Sequence, residues 1–202
     1  MTKVLAIVVT YNAIRWVERC LGSLFASRLR PDVLVVDNGS ADGTREFVRE
    51  HFPAAELILS DGNPGFGAAN NIGLRLALER GYDFVYLLNQ DAWVEKDTLS
   101  TLVAAARPDY GILSPVQNDA SGRLDPWFSR KCSRYLKAAS AVAPDPRLVV
   151  DVPFVMAAHW LVSRKALLEV GGRPGSLSRT TTAIHFSRIR FSRGVLLPAR
   201  SW

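Results

Sequence analysis

Four apolar runs in the first half of the chain each end in a short polar stretch whose side chains could bind a ligand. These polar stretches are Thr10-Tyr-Asn12, Asp37-Asn38, Asn63-Pro-Gly65 and Asn89-Gln-Asp91. Because ligands of open α/β sheets bind in the crevice at the carboxyl ends of parallel strands, we expect the four stretches to converge on one site. Hydroxyl, amide and carboxylate groups of this kind suit a nucleoside diphosphate held together with a divalent metal ion.

Asp37 follows a buried apolar run and precedes Asn-Gly-Ser. It is either a turn or helix-cap aspartate, or a carboxylate that accepts N–H bonds from the edge of a nucleotide base. In the second interpretation Thr10 and Asn12, at the end of the neighbouring strand, flank the same base or its ribose. The residues alone leave both interpretations open.

Residues 62–71 join a strand to a helix and contain glycines that permit a close approach of the backbone to a ligand. The start of the helix also offers unpaired N–H donors to an anion. Asn70 and Asn71 are poor helix formers one turn inside the helix, which suggests a ligand contact, although a Pro-Gly turn with ordinary capping is the alternative. The spacing is neither a P-loop nor a Gly-x-Gly-x-x-Gly fingerprint, which disfavours kinase-like and hydride-transfer functions.

Asp91 places a carboxylate directly after the fourth apolar run. A hard divalent cation takes oxygen ligands and usually keeps several waters, so that one carboxylate plus substrate phosphates can suffice. The alternative is that Asp91 merely starts a turn, and its position alone does not decide between the two.

Strand-like and helix-like patterns alternate along residues 4–114 with short links between them. Apolar runs predict five strands, the first beginning at residue 4 and the others at 33–36, 57–59, 84–88 and 111–114. Helical spacing predicts helices at 14–27, from a cap at Ser40 or Asp42 to Pro53, at 67–79 and at 99–106. The alternation predicts an α/β fold of βαβ units around a mainly parallel sheet.

The pattern weakens between residues 115 and 146, where we expect a loop-rich insertion over the crevice. Its aromatic residues stack on a substrate or, more commonly in such insertions, form small packing clusters; they are Trp127, Phe128 and Tyr135. Residues 151–162 return to strand-like character, and 164–170 predict a helix that ends at two glycines. Asp151 and His159 lie in this apolar part, where packing roles are more typical than catalysis, so we assign no catalytic base.

The net charge of +6 is confined to the end of the chain. Residues 173–202 contain six arginines and no acidic residue, whereas residues 1–172 carry 19 basic and 19 acidic side chains. The basic pI therefore gives no argument for nucleic-acid binding by residues 1–172, and we expect no nucleic-acid partner. Two widely spaced cysteines, no signal peptide and no apolar stretch of membrane-spanning length predict a reduced, cytoplasmic protein.

Together the four polar stretches resemble the signature of glycosyltransferase family 2. The matching sequences are Val-Val-Thr-Tyr-Asn12, Val-Val-Asp37-Asn-Gly-Ser-Ala-Asp-Gly-Thr44, Asn63-Pro-Gly-Phe-Gly-Ala-Ala-Asn-Asn71 and Leu-Leu-Asn89-Gln-Asp91. The asparagine-rich third sequence is similar to that of the rhamnosyltransferase-like branch. The ordered set of four is highly specific, and the resemblance covers residues 4 to about 172.

This resemblance implies a GT-A fold, with a Rossmann-like, mainly parallel sheet, and an inverting transferase that uses a dTDP- or UDP-linked sugar donor. It implies a nucleotide-binding half at 1–114 and an acceptor-side part at 115–172. The implied donor-binding residues are Thr10, Tyr11, Asn12, Asp37, Asn38, Asn63, Gly65, Asn70, Asn71 and Gln90. Asp91 and Asn89 would hold Mg²⁺ or Mn²⁺ in an Asn-x-Asp variant of the Asp-x-Asp site. The implied acceptor is a saccharide or lipid-linked molecule of the cell surface, which adds the inner face of the membrane as an alternative location.

After Gly172 the chain departs from the family pattern. Relatives continue with an acidic stretch that supplies the catalytic base, whereas residues 173–202 contain no carboxylate. We favour a shifted or truncated reading frame over a genuine basic tail, and we expect this segment to pack poorly and the chain to transfer sugar slowly. The alternatives to an active glycosyltransferase are an inactive nucleotide-binding remnant of one and, second, a nucleotidyltransferase.

Overall fold

Short apolar runs form the strands of this protein, and the amphipathic segments between them form its helices. The computed structural model describes residues 2–142, 149–152, 155–171 and 194–197. Within them the strands are β1 (Val4–Thr10), β2 (Asp32–Asp37), β3 (Glu56–Leu59), β4 (Phe84–Asn89), β5 (Ile112–Pro115), β6 (Val150–Val152), β7 (His159–Ser163) and β8 (Gly194–Leu197). The helices are α1 (Val17–Phe25), α2 (Thr44–His51), α3 (Phe66–Glu79), α4 (Thr98–Ala105), α5 (Pro126–Val142) and α6 (Arg164–Gly171).

The described strands form one sheet in the order β3-β2-β1-β4-β7-β5-β8-β6. The neighbours β3, β2, β1 and β4 are parallel, as successive βαβ units require. β7 runs antiparallel to both β4 and β5, so it separates this parallel group from the remaining strands. β8 pairs parallel with β5 and antiparallel with β6. All four predicted polar strand ends therefore belong to the uninterrupted parallel group.

Helices cover both faces of the sheet, because successive side chains of a strand point to opposite faces. Ile7 and Leu87 pack on the face covered by α3, α5 and α6, whereas Val8 and Tyr86 pack on the face covered by α1, α2 and α4. Every residue of β1 is buried, as in the centre of a parallel sheet with two covered faces. The predicted α/β fold class is confirmed.

The start of α2 differs in detail from its prediction. Gly43, with φ 91°, occupies the position before the helix, and no side chain caps it directly. Asp42 Oδ1 accepts the N–H of Thr44 at 3.1 Å, whereas the hydroxyl of Ser40 donates to Asp37 and takes no part in the helix start. Of the two predicted caps, only Asp42 therefore contributes to α2.

The expected loop-rich insertion at 115–146 is wrong over much of its length, because α5 occupies 17 residues of it. The carboxylate of Asp125 accepts the N–H of Phe128 at 2.9 Å, and a proline takes the first helical position, which together favour a helix start. Phe128 and Cys132 are four residues apart and both buried. Intervening basic residues obscured this apolar spacing in the sequence.

The aromatic residues of α5 differ in their surroundings. Phe128 is buried in the core and Tyr135 packs against the same core cluster, which confirms the packing interpretation for these two. Trp127 is 62% exposed, and the guanidinium carbon of Arg130 lies 3.9 Å from its ring centroid. Trp127 is therefore a surface residue.

The strand-like region at 151–162 consists of two strands, β6 and β7, with residues 153–154 outside the described ranges. Most of the predicted basic tail, residues 173–193 and 198–202, also lies outside the described ranges. Between these two stretches, Gly194–Leu197 forms β8 and pairs with β5 and β6. Among the helices of the described ranges, none has the length and apolar character needed to cross a bilayer.

Gly73, in the middle of α3, permits close contact between this helix and β1. A Cβ atom at this position would lie 2.5 Å from Cδ1 of Ile7, whose side chain is fully buried. We expect Gly73→Ala to lower the free energy of unfolding by roughly 1–3 kcal/mol, because overpacking outweighs the gain in helix propensity. In the matched control Gly22→Ala, in α1, no atom of the described residues outside the adjoining helix backbone lies within 4 Å of the new Cβ, so the change should be neutral or stabilising by up to about 1 kcal/mol. Urea denaturation measures both variants, and equal stabilities would contradict the expected crowding.

Candidate functional site

The strand register brings the polar stretches side by side at one edge of the sheet. Thr10 at the end of β1 lies opposite Asp37 at the end of β2, and Val9 lies opposite Asn89 at the end of β4. The segment after β3 joins them, since the N–H of Ser60 donates to the carbonyl of Asp37 at 2.9 Å. All four stretches therefore line one crevice edge, as expected for the carboxyl ends of parallel strands.

Asp37 is fully buried, and its carboxylate accepts five hydrogen bonds. The donors are the hydroxyls of Thr10 and Ser40, the backbone N–H groups of Gly39 and Ser40, and the guanidinium of Arg45 at 2.6 Å. Burial works against ionisation, yet these hydrogen bonds hold the pKa of the Asp37 carboxyl below its ordinary value. One ionised side chain thereby connects β1, the loop after β2 and the helix α2.

The loop after β1 is held from both sides. The side-chain oxygen of Asn12 accepts the N–H of Ala41 at 2.9 Å, and the N–H of Asn12 donates to the hydroxyl of Ser40 at 2.9 Å. Gln90, from the segment after β4, accepts the N–H of Tyr11 at 2.8 Å and donates to its carbonyl at 3.3 Å. These bonds stabilise Asn12 in the left-handed region, with φ 51°, and leave the ring of Tyr11 half exposed at the crevice edge.

The segment after β3 is tied to the loop after β2. Asn38 is buried, and its side-chain oxygen lies 3.0 Å from the hydroxyl of Ser60, which is also 2.9 Å from the carbonyl of Gly62. The side chain of Asn63 accepts the N–H of Gly65 at 3.1 Å. Gly65 has φ 89° directly before α3, a conformation that favours glycine. These contacts therefore position the start of α3 at the crevice.

Asn70 and Asn71 lie inside α3, and both are buried. The amide nitrogen of Asn70 donates to the carbonyl of Phe66 in the preceding turn at 2.9 Å. This bond within the helix explains the tolerance of Asn70 in a buried helical position. The contact of both asparagines with a ligand stays a prediction.

Asn89, the last residue of β4, and Asp91, two residues later, supply two side chains with oxygen atoms. Asp91 is exposed, and Oδ1 of Asn89 is buried without a hydrogen-bond partner in the described structure. A buried acceptor without a partner is costly, and coordination of a cation would satisfy it. Within the described ranges, no three His, Cys, Asp or Glu side chains form a metal-binding group. The pair therefore fits a hard cation that completes its coordination with substrate phosphates and water.

Asp151 and His159 are the two titratable residues that the sequence assigns to packing rather than catalysis. His159 begins β7 and is buried, with its Nδ1 2.8 Å from Oη of Tyr86. Burial lowers the pKa of His159 to about 4, so the imidazole is neutral at pH 7. This environment favours the packing role for His159. The side chain of Asp151, in β6, lies outside the described residues.

Sequence reasoning missed several residues at this edge. Ser60 had the same signal as the predicted residues, a polar side chain directly after a strand. Arg45 gave no such signal, because only the fold brings α2 against Asp37. The contact between Arg19 in α1 and Trp93 was also invisible, since the two are far apart in sequence; the guanidinium carbon lies 3.4 Å from the ring centroid.

An α/β sheet with four polar strand ends at one crevice is typical of proteins that bind nucleotides. The sequence of this chain specifies the class further: the sequence model of glycosyl transferase family 2 matches residues 5–171. The chain belongs to this family, which confirms the resemblance drawn from its four sequence stretches.

Two curated relatives share substantial sequence with the chain. It is 36% identical over 138 residues to the N-acetylglucosaminyl-diphospho-decaprenol L-rhamnosyltransferase of Mycobacterium tuberculosis. The aligned region covers 62% of this chain and 45% of that protein. It is 34% identical over 108 residues to the undecaprenyl-phosphate mannosyltransferase of Micrococcus luteus, which covers 52% of this chain and 44% of that protein. The chain thus spans less than half the length of either relative.

Solved structures share the fold. The crystal structure of residues 1–349 of Staphylococcus aureus TarS superposes with a TM-score of 0.69 at 19% identity, over 99% of this chain and 59% of that one. The mannosyltransferase PcManGT from Pyrobaculum calidifontis, in complex with GDP-Man and Mn²⁺, gives a TM-score of 0.65 at 24% identity, over 98% of this chain and 56% of that one. At these identities the likeness concerns the fold, and it confirms the GT-A architecture.

Proposed function

We propose that this chain is the donor-binding part of an inverting glycosyltransferase that takes a sugar from a dTDP- or UDP-linked donor. The observation that carries the proposal is the convergence of four polar strand ends on one crevice edge, in a member of glycosyl transferase family 2. The names of both curated relatives include a polyprenyl carrier, which supports a lipid-linked saccharide acceptor. Such an acceptor lies at a membrane surface, and the inner face of the cell membrane is the location we propose.

In this proposal residues 1–114 bind the donor. Thr10, Asp37 and Asn38 face the nucleoside. The exposed ring of Tyr11 lies beside the nucleoside. Asn12 and Gln90 fix the loop that carries the Tyr11 ring. A base edge would reach the buried Asp37 carboxylate by replacing the Arg45 guanidinium, whose side chain is 30% exposed. Asn63, Gly65, Asn70 and Asn71 form the wall at the start of α3. Residues 115–172 contribute the acceptor side.

Mg²⁺ or Mn²⁺, when bound, would neutralise charge on the diphosphate leaving group. Asp91 would hold it with its exposed carboxylate, and Asn89 with the amide oxygen that has no hydrogen-bond partner among the described residues. The Mn²⁺ in the PcManGT complex supports the use of a divalent metal by this fold. Gln90, between the two, binds the backbone of Tyr11 and so fixes the ligand pair relative to the nucleoside loop.

The test is calorimetric titration of the chain with UDP and with dTDP, each with and without Mg²⁺ or Mn²⁺. We expect binding that requires metal in the wild type and that weakens at least about tenfold in Asp91→Ala, because the exposed carboxylate is the charged ligand of the pair.

Glu95→Ala is the matched control, since Glu95 is an exposed acid four residues further along the same segment. It should bind as the wild type does. Equal affinity of Asp91→Ala and wild type in the presence of metal would overturn the metal assignment, and failure of the wild type to bind either nucleotide would overturn the proposed donor.

A further inference from the structure

The segment that begins at the last residue of β4 lies along α1 and contacts it at several points. We call residues 89–97 the Asp91 segment. The thiol of Cys20 lies 3.5 Å from the carbonyl of Asn89, and the hydroxyl of Ser23 accepts the N–H of Val94 at 3.1 Å. Further on, the N–H of Arg28 donates to the carbonyl of Lys96 at 2.8 Å. Contacts with α1 on both sides of Asp91, at Asn89 and at Val94, therefore hold this segment against the helix.

A further contact with this segment comes from Arg19. It lies in the first turn of α1, which starts at the crevice edge because it follows the carboxyl end of β1. Its guanidinium carbon is 3.4 Å from the centroid of the Trp93 ring, two residues after Asp91. Within the described ranges, the guanidinium of Arg19 forms no hydrogen bond and no ion pair.

A stacked guanidinium uses its face and keeps the N–H groups at its edge available. Those donors form a planar fork that matches two oxygens of a phosphate group. Stacking on an aromatic ring also orders the side chain beforehand, which reduces the entropy lost on binding. Because Trp93 follows Asp91 by two residues, a cationic fork on the Trp93 ring suits a diphosphate whose metal ion is bound by the Asp91 carboxylate.

We infer that Arg19, held over the ring of Trp93, binds phosphate oxygens of the diphosphate donor. The inference rests on the proposed function, and it adds a charged donor that reaches the crevice from α1, outside the four polar strand ends. Arg19 complements Asp91: one side chain takes the metal ion and the other takes oxygens that the metal leaves free.

The experiment measures the affinities of UDP and dTDP, with Mg²⁺, for the wild type, Arg19→Ala and Arg19→Lys. We expect Arg19→Ala to weaken diphosphate binding about 10- to 100-fold, the loss typical of a charge-assisted hydrogen bond. Arg19→Lys should recover only part of this loss, since an ammonium keeps the charge but has neither the fork nor the stacking face. The affinities of uridine and thymidine, measured by NMR titration, should be unchanged in both variants.

Arg30→Ala is the matched control, because Arg30 also lies over an aromatic ring, Phe25, but beyond the other end of α1. It should leave diphosphate affinity as in the wild type. Equal diphosphate affinity of Arg19→Ala and wild type would overturn the inference while the proposed function stands. A parallel loss of nucleoside binding would also overturn it, because it would indicate collapse of the site. Absence of diphosphate binding by the wild type would overturn the proposed function and the inference together.

Discussion

Replacing Asp37 with alanine should lower the free energy of unfolding by about 3 kcal/mol at pH 7. The substitution removes a buried carboxylate and leaves its hydrogen-bond donors without an acceptor. The backbone N–H groups of Gly39 and Ser40 and the Arg45 guanidinium lose their acceptor together. Urea denaturation measures the loss. Asp61→Ala, at an exposed aspartate after β3, is the control and should remain close to the wild type.

Asp37→Asn separates charge from hydrogen bonding in the same site. The amide oxygen can still accept from the backbone, and the hydroxyls of Thr10 and Ser40 can turn to accept from the amide nitrogen. We therefore expect the free energy of unfolding to fall by roughly 1–2 kcal/mol.

The stability difference between the wild type and Asp37→Asn should depend on pH. The pKa of Asp37 is lowered in the folded state, so the carboxylate's contribution to the free energy of unfolding is complete above the unfolded pKa and is lost as the pH falls through the folded pKa. The difference in free energy of unfolding between the wild type and Asp37→Asn should therefore persist from pH 7 to about pH 4 and become smaller below it. A difference that does not change with pH would contradict a stabilising role for the negative charge of Asp37. If Asp37 also contacts the base, the variant should lose nucleoside affinity more than pyrophosphate affinity.

Acidification should destabilise the protein through His159 well before the carboxylates are protonated. Burial lowers the pKa of His159 from 6.5 to about 4 in the folded state, so the unfolded chain binds a proton first. The stabilising effect of the neutral imidazole is complete above about pH 6.5 and is lost as the pH falls toward about 4, a change of roughly 3 kcal/mol. Urea denaturation at half-unit intervals between pH 7.5 and pH 4 measures this loss.

The double variant Tyr86→Phe/His159→Phe should lack this part of the pH dependence, because neither ring carries a titratable group. Tyr86→Phe alone should keep it, since burial rather than the hydrogen bond to Tyr86 causes the low pKa. Identical slopes for the wild type and the double variant would show that His159 is protonated in the folded state at pH 6.

The convergence of Thr10, Asp37 and Asn89 could be predicted because it follows from local patterns. Each residue ends an apolar run, and alternation with helices makes the runs parallel, so their ends must meet at one edge. Ser60 belongs to the same pattern. These features require no knowledge of which helix packs where.

Features that depend on contacts distant in sequence could not be predicted in the same way. The buried position of the Asp37 carboxylate depends on Arg45, whose approach is set by the packing of α2. α5 was missed because basic residues lie between its apolar positions. Among its described side chains, Phe128 and Cys132 are buried four residues apart, and Tyr135 packs against the same core cluster. The position of β7 between β4 and β5 likewise depends on tertiary packing, since an apolar run alone does not show whether a strand pairs parallel or antiparallel.

The antiparallel β7 also sets the order in which the protein can be completed on the ribosome. β1 to β4 can pair as soon as residue 89 has emerged, but the outer edge of β4 is covered by a strand that ends roughly 70 residues later. At about 5–20 residues per second, translation leaves that edge open for several seconds. An open edge with Val85 and Leu87 along it can pair with another nascent chain. Yield of the folded protein should therefore depend on the speed of elongation between β4 and β7.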